Sequence, residues 1–215
     1  MIQLPSIRGL KYPDEAVVRH FFKARLDSRP GRAVELGGGT GNNLSLYKSY
    51  GWRVTNVDRD ARALADAAHN LGEEAEIVEA DLSAGPPPLS GPIDALLIPN
   101  MLCYVSAAQA ERLLSGVAPL MAPGCAVFVR TRARDDYRYA RGRETEPHGF
   151  ILDTEETGEA GAFNLFYDES ALTDLLKRTL GLEPTALLRI RFDNIQSGRL
   201  VPGNSDIVVW GQRRS

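Results

Sequence analysis

The stretch Ala33-Val34-Glu35-Leu36-Gly37-Gly38-Gly39-Thr40-Gly41-Asn42 constrains this chain more than any other. A short apolar run ends in an acid and passes at once into four glycines within five residues. That order suits a buried strand that stops at a tight loop where backbone approaches a ligand, because glycine lacks the Cβ that clashes at unusual dihedrals. Glu35 places a carboxylate beside the loop. A carboxylate there repels a pyrophosphate and attracts a ligand carrying an amine or another cation.

The rest of the chain reads as alternating helices and strands. Residues 13 to 27 form an amphipathic helix with Pro13 in its first turn and Val17, Val18, Phe21 and Phe22 at helical spacing. Arg32 to Leu36 is a strand, followed after the glycines by a helix ending near Tyr50. A second strand runs from Arg53 to Asp58. Asp60 caps a helix whose apolar face is read as Ala61, Leu64, Ala65 and Ala68. Residues 75 to 79 form a third strand, and Pro86-Pro87-Pro88 a stiff connector. Ile93 to Ile98 is apolar enough for a strand buried on both faces. Ser106 and Gln109 make a capping box for a helix carrying Leu113, Leu114, Val117 and Leu120, stopped by Pro123-Gly124. Cys125 to Arg130 is the fifth strand. Residues 131 to 166 are polar, charged and aromatic with little periodicity. A helix then starts near Asp168 or Ser170, and two strands, Thr185 to Phe192 and Asp206 to Trp210, follow without a crossover helix, so that pair is antiparallel. The expected fold is an α/β, Rossmann-like three-layer sandwich on a mostly parallel sheet.

At 215 residues, 43% of them hydrophobic, the chain is long enough for one well-buried core, and a single domain over 1–215 is expected. A net charge of −3 offers no reason to expect a nucleic-acid partner. Cys103 and Cys125 make neither a disulfide framework nor a metal cluster, which fits a reducing compartment. Met1 to Ser6 lacks the regions of a signal peptide, and no apolar run reaches membrane-spanning length, so a cytoplasmic protein with no membrane partner and no metal is expected.

The glycine loop discriminates between two nucleosides. A dinucleotide site needs Gly-x-Gly-x-x-Gly, and Asn42 stands where the frame from Gly37 demands glycine, while the frame from Gly39 meets Leu44. Taken together, Glu35-Leu36-Gly37-Gly38-Gly39-Thr40-Gly41, Asp58 and Asp81 resemble the class I S-adenosylmethionine-dependent methyltransferase family. Gly37, Gly39 and Gly41 keep the family's alternating glycines, Asn42 also matches, and Gly38 takes a position often held by another small residue. The resemblance implies a seven-stranded sheet whose last strand is antiparallel, and S-adenosylmethionine as cofactor.

It also implies roles. Gly37, Gly38, Gly39, Thr40, Gly41 and Asn42 would lie against the methionine part, and Glu35 would either hold the loop or face the ammonium through water. Asp58, with Arg59 beside it, would accept the ribose hydroxyls. Asp81 and Leu82 would contact adenine, and Asn100 would lie near the transferring methyl. Residues 1–28 would form a helical lid, with Tyr12 closing over the methionine end, and residues 131–166 a substrate-side insert. Within that insert, His148 and Tyr137 are the candidate catalytic side chains, and the arginines from Arg130 to Arg138 are candidate grips for an acceptor carboxylate or phosphate. The expected partner is a small-molecule acceptor, such as a secondary metabolite or sugar-linked compound methylated on oxygen or nitrogen, with the protein a monomer or homodimer. A protein methyltransferase and a non-catalytic S-adenosylmethionine-binding protein are the alternatives.

Overall fold

The computed structural model describes residues 6–153, 159–196 and 198–214. In chain order the elements are α1 (Glu15–Lys23), β1 (Arg32–Leu36), α2 (Asn42–Ser49), β2 (Arg53–Asp58), α3 (Ala61–Leu71), β3 (Glu76–Glu79), β4 (Ile93–Pro99), α4 (Ala107–Val117), β5 (Met121–Arg132), β6 (Gly142–Glu146), β7 (Gly149–Leu152), β8 (Phe163–Leu165), α5 (Glu169–Leu180), β9 (Leu182–Gln196) and β10 (Arg199–Arg213). Seven strands build one sheet in the order β3-β2-β1-β4-β5-β10-β9. The pairs β1–β2, β1–β4, β2–β3 and β4–β5 are parallel, and β10 runs antiparallel to both β5 and β9. This is the Rossmann-like sandwich expected, with the last strand reversed.

Burial on both sheet faces follows from strand alternation. Along β4, Leu96 and Ile98 enter the core layer shared with Leu113, Leu114 and Leu176 of α4 and α5. Ala95 and Leu97 enter the opposite layer, with Val17 and Phe21 of α1, Leu44 and Tyr47 of α2, and Leu71 of α3. Successive side chains thus serve opposite layers, which explains the uninterrupted apolar run.

Several boundaries differ from the sequence reading, each for a local reason. Asp14, not Pro13, starts α1: its carboxylate accepts the Ala16 amide at 2.7 Å. Arg25, at φ 55°, then ends the helix in a left-handed turn, well before residue 27. The buried face of α3 is Leu64, Ala67 and Leu71 rather than Ala61, Leu64, Ala65 and Ala68, because this face presses on the glycine loop. α4 stops at Val117, since Pro119 lies in the 3₁₀ turn that follows and has no N–H for another helical bond. Pro123 and Gly124 fall within β5 instead. The capping box of Ser106 and Gln109 forms with both of its hydrogen bonds.

The largest difference lies after β5. Residues 142–165 contain a second, three-stranded antiparallel sheet, β6-β7-β8, in place of the irregular segment expected. β9 and β10 are also longer than read, reaching past the carboxyl edge of the main sheet as a hairpin with an irregularity between Val201 and Asn204. Three ties join the hairpin to the segment between β5 and β6: Tyr137 N–H to Gly203 at 2.9 Å, Ser205 N–H to Asp136 at 2.9 Å, and Arg138 to Asn204 at 3.2 Å. Among the described residues no helix is long and apolar enough to cross a membrane.

Candidate functional site

Strand order reverses between β1 and β4, where the connections leave in opposite directions and open a crevice at the carboxyl edge. Two cavities, about 190 Å³ and about 560 Å³, lie there and share Gly37 and Asn100 as common walls. Asp58, Arg59, Asp81, Leu82 and Tyr104 line the smaller one. Glu35, the glycine loop, Asn42, Tyr12 and Asp14 line the larger.

The loop is held from outside so that its inner side stays bare. Gly37 and Gly38 donate to the Val57 carbonyl at 2.8 and 3.2 Å, and the Asn56 amide donates to the Gly39 carbonyl at 2.9 Å. Gly37 and Gly39 have φ of 76° and 51°, the region where side chains are strained. A Cβ on Gly37 would stand 2.9 Å from Met101, so the β1 and β4 loops approach as only glycine allows. A Cβ on Gly39 would meet nothing within 4 Å, because it points into the open cleft.

The carboxylates are oriented by backbone. Asp58 accepts Gly39 N–H at 2.9 Å on one oxygen and Asp60 N–H at 3.0 Å on the other, which fixes it between the loop and α3. Asp81 accepts Ser83 N–H at 2.9 Å, and that serine's hydroxyl and amide hold its carboxyl below the usual range. Asn100 has φ 55° and donates its N–H to the Arg130 carbonyl at 2.8 Å, bending the chain after β4 over the cleft.

Glu35 is 1% exposed. One oxygen accepts from Asn43 at 2.7 Å, and the other has no partner among the described residues. Burial pushes its pKa up to about 8, and the nearby Asp14 and Asp58 push the same way against the Asn43 hydrogen bond. A buried acid beside further carboxylates favours a cationic ligand and opposes a phosphate.

Residues 33–124, from β1 to the start of β5, match the model of a family described as a methyltransferase domain. That stretch is under half of the chain, and it holds the glycine loop, Asp58, Asp81 and Asn100. Solved structures agree on the fold. A methyltransferase from Methanosarcina mazei is 17% identical with a TM-score of 0.70, over 94% of this chain and 99% of that one. One from Mesorhizobium loti is 20% identical with a TM-score of 0.65, over 90% and 97%. The 1,6-didemethyltoxoflavin-N1-methyltransferase from Burkholderia thailandensis, solved with that compound and S-adenosylhomocysteine, is 20% identical with a TM-score of 0.64, over 94% and 80%. No curated protein matches the sequence.

The fold brings the sequence-expected cofactor residues Tyr12, Glu35, Gly37 to Asn42, Asp58, Arg59, Asp81, Leu82 and Asn100 to the walls of these two cavities, except Gly41. Gly41 instead caps α2 with φ 78° and packs against Ala67 and Leu71 of α3. His148 and Tyr137 line neither cavity. His148 sits in the β6–β7 turn with Nδ1 at 2.7 Å from the Tyr139 hydroxyl. Tyr137 lies under the guanidiniums of Arg138 and Arg141, 4.4 and 5.7 Å from its ring centre.

The arginines at the end of β5 and just after it are committed to carboxylates of the same chain. Arg130 pairs with Asp14 and Asp206, Arg132 with Glu159, Arg134 with Asp168 and Arg138 with Asp136. Asp14 and Asn43 are wall residues that the sequence pattern does not single out. Asp14 had one readable signal, an acid directly before an amphipathic run, which is a helix-cap pattern.

Proposed function

We propose that this protein is a class I S-adenosylmethionine-dependent methyltransferase and that it acts on a small-molecule acceptor. The observation that carries the reading is the clamped wall beyond Asn100. The small sheet is pinned to α4 where Glu146 accepts the Ala107 amide at 3.2 Å, and the segment leading into it is pinned to the β9–β10 hairpin through Asp136 and Ser205 at 2.9 Å. A wall tied at both ends suits a compact ligand better than an extended polymer. The Burkholderia protein, which holds a small heterocyclic compound, supports the same direction.

In this reading the smaller cavity takes the nucleoside, with Asp58 accepting from the ribose hydroxyls, Arg59 at its rim, and Asp81 and Leu82 against the adenine. The larger cavity takes the amino-acid end, with the glycine loop supplying bare backbone, Asn42 holding the Tyr12 carbonyl at 3.0 Å, and Glu35 providing the buried acid. The residues fit such a group: the loop leaves room for a thioether chain at Gly39, and nothing in the acidic set calls for phosphate. When bound, S-adenosylmethionine supplies a methyl already activated on a sulfonium. Asn100, shared by both cavities, marks where the reacting centres meet, and the chain's contribution is to align the acceptor there and exclude water. His148 and Tyr137 are not assigned as a general base, since both are engaged elsewhere in the fold.

Two measurements test this. Calorimetric titration with S-adenosylhomocysteine should show saturable binding that Asp58→Ala weakens by about tenfold or more, roughly 1.4 kcal/mol, with circular dichroism unchanged. Incubation with methyl-labelled cofactor and either a protein-free extract or its protein fraction should place the label in the former. Label found only in protein would refute the small-molecule reading.

A further inference from the structure

Asp14 lies outside the glycine loop, on the segment that leads into α1, yet its carboxylate lines the larger cavity together with Glu35 and Asn100. A relay of hydrogen bonds fixes it there. The Asp14 N–H donates to Asn43 at 2.8 Å, and Asn43 donates to Glu35 at 2.7 Å. One carboxylate oxygen of Asp14 caps α1 at 2.7 Å, and the other meets a guanidinium nitrogen of Arg130. A carboxylate has about four lone-pair positions, so this leaves Asp14 with acceptor capacity toward the cavity.

The charges around it do not balance. Arg130 is held more fully by Asp206, which takes Nε at 2.9 Å and Nη2 at 2.5 Å from one oxygen. One guanidinium therefore serves two carboxylates. Behind them stands Glu35, a wall residue of the same cavity, almost fully buried, with an oxygen that has no partner among the described residues. A cation completes this set, and an anion does not.

We propose that Asp14 is the direct ligand of the ammonium group at the amino-acid end of the cofactor, with Glu35 behind it and Arg130 positioning it. This rests on the assignment of the larger cavity to that end. It also links loading to the acceptor side. Asp206 lies in β10 opposite Arg132 of β5, and its neighbour Ser205 is tied to Asp136 of the segment after β5. The same ion-pair chain that orients Asp14 thus reaches the segment after β5.

Three probes separate the possibilities: S-adenosylhomocysteine, its deaminated analogue, and 5′-methylthioadenosine, which lacks the amino-acid end. Asp14→Asn keeps an oxygen for the helix cap and removes the charge. The expected result is a tenfold to hundredfold loss of affinity for S-adenosylhomocysteine, the scale of one charge-assisted hydrogen bond, with affinity for the other two within twofold of the parent protein. Asp14→Ser, which also caps a helix, should reproduce this pattern. Unchanged affinity for S-adenosylhomocysteine, or an equal loss for all three probes, overturns the proposal. Failure of the parent protein to bind any of the three would instead remove the cavity assignment on which it stands.

Discussion

Replacing Glu35 by glutamine should make the protein more stable at alkaline pH while leaving it nearly unchanged at acid pH. Folding raises the Glu35 pKa from an ordinary 4.5 to about 8, so the folded state holds the proton more tightly than the unfolded chain. Its stabilising contribution is therefore complete below about pH 4.5 and is lost as pH climbs through 8. At about 1.4 kcal/mol per tenfold change in proton concentration, the full span is worth roughly 3–5 kcal/mol. Glutamine keeps an oxygen for Asn43 and carries no charge to bury. Urea unfolding of both proteins at intervals from pH 4 to pH 9.5 should show curves that nearly coincide at the acid end, begin to part above about pH 4.5 and separate by roughly 3–5 kcal/mol at the alkaline end, the variant being the more stable. Binding carries the same signature with opposite consequence. An ammonium beside Glu35 favours its ionised form, so S-adenosylhomocysteine should release about one proton near pH 7, read from binding enthalpies in buffers of different ionisation heat. The variant should release none through this group. Parallel pH dependences in the two proteins would falsify the claim that this carboxyl is buried and protonated.

Two further outcomes follow from the same geometry. His20 lies buried between Phe128 and Trp210 with no partner for either ring nitrogen among the described residues, and burial lowers its pKa to about 4. The neutral ring is favoured on folding, so stability should fall as pH drops from 6.5 toward 4. His20→Leu should flatten that acid limb in thermal melts, and an unaltered limb would count against a neutral buried ring. Gly38→Ala should destabilise by about 1–3 kcal/mol in urea, because its Cβ would stand 1.8 Å from the Asn56 side-chain oxygen and force out the amide that holds Gly39. A neutral effect would show that Asn56 does not anchor the loop. The sequence reading had treated this position as tolerant of small side chains, and the clash is invisible without the neighbouring strand.

The main sheet was legible because its strands satisfy a local rule. β1 and β4 carry apolar residues on both faces, Val34 and Leu36 opposite Ala33 in one and Leu96 and Ile98 opposite Ala95 and Leu97 in the other, and capping acids such as Asp60 and Asp168 mark where helices begin. The cleft was legible for a related reason. Glu35, the glycines and Asp58 lie within a short stretch, and their chemistry is tied to strand ends that the same pattern locates. Helix faces were less secure: alanine-rich α3 offers several apolar stripes, and only contact with Gly41 selects the one through Ala67 and Leu71.

The acceptor side was hidden because its order is built from distant partners. Asp136 is tied to Ser205, Arg130 to both Asp14 and Asp206, and Arg189 to Asp135 and Glu169. Each of these residues reads alone as a solvated charge, and the arginines read as free hands for an anionic acceptor. Paired, they do different work. A guanidinium chelated by its own chain is a poor ligand for an incoming carboxylate, since binding must first break a partly buried ion pair and strand its acid. In the proposed function, selection of the acceptor falls to shape and to neutral contacts beyond Asn100, where Tyr104 stands with its hydroxyl 3.0 Å from Arg132. Charge in this half of the molecule fixes the wall, while in the cofactor half, at Asp14 and Glu35, it is left incomplete for a cation to finish.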